Sequence, residues 1–152
     1  MSNDGSEIDF SIFKEKTLLL VNTASKCGLT PQYQGLEELY QRFKDKNFLV
    51  LGFPSGSFAG QEFSTDKETK DFCDLKFKIT FPLFSKVSVI GLKKHAVFKY
   101  LTSEQPNTKT RISPKWNFGK YLIDKHGEVV NFFGSKTEPL DEEVVKTIQS
   151  IL

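Results

Sequence analysis

The sequence predicts an α/β protein, a three-layer sandwich in which a mixed central sheet lies between helices. Three observations predict it. Two short, continuous apolar runs, residues 17–22 and 48–53, read as strands buried on both faces. A helix-patterned segment follows each run, which is the order that makes strands parallel. Later, two strand-like segments flank Asp124-Lys125-His126-Gly127, a turn that should close a hairpin and add antiparallel strands.

Each element has a local reason. After the first strand, Thr30 and Pro31 read as the N-cap and first residue of a helix. Tyr33, Leu36, Tyr40 and Phe43 then fall at helical spacing, and Glu38 to Arg42 is a favourable i,i+4 pair. The second strand ends at Pro54, and a loop with Gly and Ser runs over 55–64. Thr65-Asp66-Lys67-Glu68 is a capping box that opens a helix reaching about Lys76, with Cys73 inside it beside Phe72. Residues 91–101 read as a further helix, and 118–124 with 128–133 as the hairpin. The last helix begins near Pro139 and carries its apolar stripe on Leu140, Val144, Ile148 and Ile151. This order is that of thioredoxin-like folds, in one domain over 1–152, and such sheets bind ligands at the carboxyl ends of their strands.

Composition narrows the function. The 152 residues are 38% hydrophobic and 26% charged, and 15 are Phe, which points to a globular chain with an aromatic core. A net charge of +2 makes nucleic acid a poor first guess for a partner. The only arginines are Arg42 and Arg111, so bidentate clamps for carboxylate or phosphate are scarce. The apolar run 18–21 is too short to enter a membrane, and the polar opening lacks a basic leader, so a soluble, cytoplasmic protein is expected. His95 and His126 read as structural or exposed.

Cys27 and Cys73 are too few for a disulfide scaffold, and their spacings fit no zinc site; no metal or cofactor is expected. Cys27 has no partner three residues away, which excludes a thioredoxin-type dithiol motif. It does lie between a strand end and a helix start, where partial positive charge and free N–H groups favour an anion. Lys26 adds positive charge and Gly28 lets the backbone approach closely. These features favour a thiolate. A buried structural cysteine after a strand fits the same local pattern. Cys73, taken alone, equally reads as a packing residue in mid-helix.

The wider pattern adds to this. Val21-Asn22-Thr23-Ala24-Ser25-Lys26-Cys27-Gly28-Leu29-Thr30 resembles the active-site segment of the glutathione peroxidase family. So do Gly60-Gln61-Glu62, Phe81-Pro82-Leu83-Phe84, and Trp116-Asn117-Phe118 with Lys120-Tyr121-Leu122. The resemblance runs in order over nearly the whole chain. Ser55, Gly56 and Ser57 depart from it, standing where relatives commonly carry Cys, Asn and Gln.

The resemblance implies a cysteine-type thiol peroxidase, of the branch without selenium. Cys27 would be the peroxidatic nucleophile, and Gln61, Trp116 and Asn117 would complete a catalytic tetrad. Their amides and indole are neutral donors, suited to stabilising a thiolate or the oxygen leaving a peroxide. Singly, each reads as an ordinary loop, core or strand-edge residue. Substrates would be hydrogen peroxide and organic or lipid hydroperoxides, with Cys27 passing through a sulfenic acid. Cys73 would resolve it to an intramolecular disulfide that thioredoxin reduces; glutathione is less favoured, given two arginines. A short connection between Thr102 and Trp116 resembles monomeric members with an open site. A non-enzymatic peroxide sensor that passes oxidation to a partner protein would carry the same motifs.

Overall fold

The computed structural model describes residues 1–102 and 112–152. Its elements follow the predicted order: β1 Thr17–Thr23, α1 Gln32–Phe43, β2 Phe48–Pro54, α2 Asp66–Lys76, α3 Ala96–Thr102, β3 Lys120–Ile123, β4 Val129–Phe133 and α4 Glu142–Ile151. The sheet order is β2-β1-β3-β4, with β1 parallel to β2 and antiparallel to β3, and β4 antiparallel to β3.

All seven residues of β1 are buried, as a strand paired on both edges and covered on both faces requires. Its side chains alternate between two cores. Leu19 and Val21 pack with Tyr33, Leu36 and Phe43 of α1, Cys73 of α2, and Val144 and Ile148 of α4. Leu18 and Leu20 pack on the other face with Phe53, Phe84 and Tyr121, and with Phe98 and Leu101 of α3. The Phe-rich composition builds this second core, where the Phe53 and Phe84 rings stack at 4.4 Å between centroids. The segment around Phe84 covers the outer edge of β2: the N–H of Gly52 donates to Pro82 O at 3.0 Å, and Phe84 N–H to Gly52 O at 2.9 Å. A Cβ on Gly52 would stand 2.6 Å from the tip of the Leu83 side chain, so a larger residue there requires Leu83 to move.

Four local expectations shift. Thr30 does not cap α1; its hydroxyl donates to Ala24 O at 2.8 Å and accepts from Cys27 N–H at 3.0 Å, so it closes the loop around Cys27 while α1 starts at Gln32. Glu38 and Arg42 form no ion pair, and the neighbouring Glu37 instead binds Thr80. Helix α3 starts at Ala96 rather than Gly91, because Gly91 has a φ of +74° and the stretch before Ala96 is pinned by His95 N–H to Ser88 O at 2.8 Å. Helix α4 starts at Glu142, after a turn closed by Asp141 N–H to Glu138 O at 3.1 Å. Arg111, and most of the connection from Thr102 to Trp116, lie outside the described residues.

The capping box of α2 forms as expected. Thr65 accepts from Glu68 N–H at 3.2 Å and donates to its carboxylate at 2.9 Å. Asp66 binds Ser85 Oγ and Lys86 N–H, each at 2.8 Å, and Thr69 Oγ1 donates to Glu62 at 3.1 Å. The first turn of α2 is therefore tied to two other segments, residues 85–86 and the loop at Glu62. Beyond it the helix carries two exposed lysine–aspartate pairs and Leu75, which is 84% exposed.

Candidate active site

Topology alone gathers the singled-out residues at one end of the sheet. Because β1 and β2 are parallel, the Cys27 loop after β1 and the 55–64 loop after β2 leave at the same end. Strand β3 runs the other way, with Lys120 opposite Val21, so Trp116 and Asn117 arrive at that end just before β3 begins. The clefts lined by Phe10, Leu18 and Ile123 lie at the opposite end. The expected position at the strands' carboxyl ends holds.

Cys27 is half-buried and free. Its Sγ accepts a hydrogen bond from Leu29 N–H at 3.4 Å, so the turn into α1 directs a backbone donor at the sulfur. Lys26 places its ammonium over the Phe63 ring, 4.6 Å from the centroid. The Lys26 N–H donates to Gln61 O at 2.9 Å, which ties the Cys27 loop to the loop after β2.

Gln61 and Asn117 meet, with Asn117 Nδ2 donating to Gln61 Oε1 at 3.0 Å across 56 positions of sequence. Asn117 is fully buried, and its Oδ1 is left without a partner among the described residues. Trp116 is 36% exposed and packs its indole on Phe58, 5.7 Å between centroids. Among the described residues, neither the Gln61 amide nor the Trp116 indole hydrogen-bonds the sulfur. The serines of the 55–64 loop knit it together: Ser55 Oγ donates to Ser57 Oγ at 2.9 Å, and Ser57 Oγ accepts from Val89 N–H at 3.1 Å.

Cys73 is fully buried in the core that Cys27 borders. Burial pushes its thiol up from an ordinary 9.0 to about 12, with the Tyr33 hydroxyl opposing in part. It is not bonded to Cys27. His95 is half-buried, its Nδ1 accepting from Val97 N–H at 3.2 Å, and His126 is exposed in the hairpin turn.

Three buried polar residues had no role in the sequence reading. Asn22, near the end of β1, donates through Nδ2 to Trp116 O at 2.9 Å and accepts Phe118 N–H on its backbone oxygen at 2.6 Å. Glu62 spans to Thr69 of α2, and burial raises its carboxyl above the ordinary range. Lys120 opens β3 with no exposed surface. For Asn22 and Lys120 the available signal was a polar or charged side chain beside an apolar strand run, since buried polar groups are mostly hydrogen-bonded; Glu62, in the loop after β2, carried no such signal.

The family model described as Glutathione peroxidase matches residues 1–102. The chain is 46% identical to Hydroperoxy fatty acid reductase gpx1 of Synechocystis sp., over 98% of this chain and 90% of that one. It is 44% identical to Glutathione peroxidase-like peroxiredoxin 2 of Saccharomyces cerevisiae, over 97% and 90% of the two chains. The crystal structure of T. cruzi GPX1 superposes with a TM-score of 0.72 at 31% identity, covering 99% of this chain and 90% of that chain. With the fold, the end-of-sheet site and these matches in agreement, the chain belongs to the glutathione peroxidase family.

Proposed function

We propose that this single-domain protein is a thiol peroxidase that uses Cys27 as nucleophile, Gln61, Trp116 and Asn117 as donors around the reacting oxygens, and Cys73 as the resolving thiol. The reading rests on one observation above the others: Gln61 and Asn117, remote in sequence, are hydrogen-bonded at 3.0 Å beside the loop that carries Cys27. An amide pair with no other evident task there is suited to receive charge on a peroxide. In the first step the Cys27 thiolate attacks the distal peroxide oxygen. An S–O bond forms as the O–O bond breaks, sulfur is oxidised to the sulfenic acid, and the leaving oxygen takes a proton from water to become water or an alcohol.

The second step requires motion. Cys73 must bring its Cα within about 4.4–6.8 Å of that of Cys27 to form a disulfide. Helix α2 unwinds around Cys73 to allow it. Leaving the core also activates the thiol: a fall from about 12 to 9.0 raises the thiolate fraction at neutral pH about a thousandfold. The Cys73 thiolate then attacks the Cys27 sulfur, the S–S bond forms, and the hydroxyl leaves as water. A dithiol protein of the thioredoxin class reduces the disulfide and returns both cysteines.

The open setting of Cys27 at the sheet end favours bulky organic and lipid hydroperoxides as well as hydrogen peroxide, in a monomeric, cytoplasmic enzyme. Among the described residues, no helix is long and apolar enough to cross a membrane. The test is peroxide consumption coupled to NADPH oxidation, with a thioredoxin system or a glutathione system supplied separately. Turnover with thioredoxin and little with glutathione is expected. One peroxide consumed per chain, with no turnover in either system, would instead mark a sensor that passes oxidation to another protein.

A further inference from the structure

Lys120 is the first residue of β3 and has no exposed surface. Taking an ammonium out of water is costly unless its donors are satisfied. Its Nζ donates to Phe118 O at 2.7 Å and to Gly134 O at 3.2 Å. Burial lowers the affinity of the amine for its proton, and the Glu138 and Asp141 carboxylates partly restore it. No step of the chemistry above uses this group.

What it holds is unusual. Phe118 has a φ of +64°, a left-handed conformation that a bulky non-glycine residue avoids. Such a residue persists only where its surroundings over-determine it. Phe118 is gripped on both sides: its N–H donates to Asn22 O at 2.6 Å, and its carbonyl accepts from Lys120. The same turn carries Trp116, whose carbonyl Asn22 also binds at 2.9 Å, and Asn117, whose amide reaches Gln61. Through Gly134 the ammonium fixes this turn to the segment after β4. That segment is itself tied to the start of α1 by Gln32 Nε2 to Ser135 O at 2.7 Å.

We propose that Lys120 is a positioning residue for peroxide reduction: by bridging the carbonyls of Phe118 and Gly134, it holds the left-handed turn that presents Asn117 and Trp116 at the Cys27 site. The proposal rests on the reading of Asn117 as a donor in the first chemical step.

The test is a double-mutant cycle on the full chain in a Cys73→Ser background, where only that first step is read. Loss of the Cys27 thiol is timed after mixing with hydrogen peroxide. Lys120→Met is expected to slow it by about ten- to a hundredfold, the scale of a displaced reacting group. Asn117→Ala is expected to slow it comparably, and adding Lys120→Met to Asn117→Ala to cost little more. Trp116 is the only tryptophan, so its emission reports the turn directly and should change in Lys120→Met. A merely structural lysine would lower thermal stability without this non-additivity. A Lys120→Met rate within about twofold of the parent, or an equal loss in both backgrounds, overturns the proposal. If Asn117→Ala alone leaves the rate unchanged, the reading of Asn117 fails and the proposal fails with it. Should the methionine variant not fold, Lys120→Gln, which keeps an amide donor for Phe118, carries the same comparison with a smaller loss.

Discussion

The two cysteines occupy opposite settings around one core. Cys27 sits half-exposed in a turn, with a backbone N–H aimed at its sulfur. Cys73 is sealed inside, its thiol pushed up to about 12 by burial. The difference teaches that reactivity here is assigned by position rather than by residue type. One sulfur is available before peroxide arrives. In the proposed mechanism the other becomes available only when its helix opens. The construction of α2 matches this division, since its tethers to other segments gather in the first turn, ahead of Cys73.

The largest expected effects separate the two sulfurs. Cys27→Ser should abolish peroxide turnover, reducing the coupled NADPH signal to background. Cys73→Ser should abolish thioredoxin-supported turnover while still reducing one peroxide per chain, counted as a burst. Full thioredoxin-supported turnover in that variant would reject the resolving role. Next in size, Gln61→Ala should lower the rate constant for Cys27 oxidation by about a hundredfold, as loss of a donor to a developing oxyanion does. The rate at which the preformed disulfide is reduced should not change. Alkylation sharpens the contrast further. In the reduced native protein, iodoacetamide followed by peptide mapping should label Cys27 at least tenfold faster than Cys73, as about a tenfold gap is the least that burial implies, and denaturation should remove the gap.

The smallest expected effect is on stability. The folded-state value of Cys73 is raised from 9.0 to about 12, so its thiol contributes stability that is fully present below pH 9 and is lost as pH rises toward 12. Cys73→Ala removes that dependence. Between pH 7 and pH 10 the alanine variant should lose about 1 kcal/mol less unfolding free energy than the parent, measured by urea denaturation. Equal losses would show that Cys73 is not held protonated by the fold.

Much of the fold was legible because local rules and tertiary packing agree. The runs at the heart of β1 and β2, residues 18–21 and 48–53, are apolar without a break, as a strand covered on both faces needs. The start of α2 was legible because Thr65 and Glu68 satisfy each other within one turn. Thr30 misled because its hydroxyl is taken by the Cys27 loop, a use that helix-cap preference does not encode. Gly91 misled because its left-handed backbone ends any helix that would pass through it. The site divides in the same way. Cys27 could be placed from a strand end and a helix start. The Gln61–Asn117 bond depends on β3 running antiparallel to β1, which no local window contains. What Asn22 and Lys120 bind was hidden for that reason too, although their place beside apolar runs was not.

Amide hydrogen exchange of the reduced protein, before and after one equivalent of hydrogen peroxide, addresses the proposed exchange of settings most directly. Peptides covering 66–80 should lose protection in step with formation of the Cys27–Cys73 disulfide, while β1 and α1 keep theirs. Unchanged protection over 66–80 in the fully oxidised protein would contradict the account, in which α2 unwinds to bring Cys73 to Cys27.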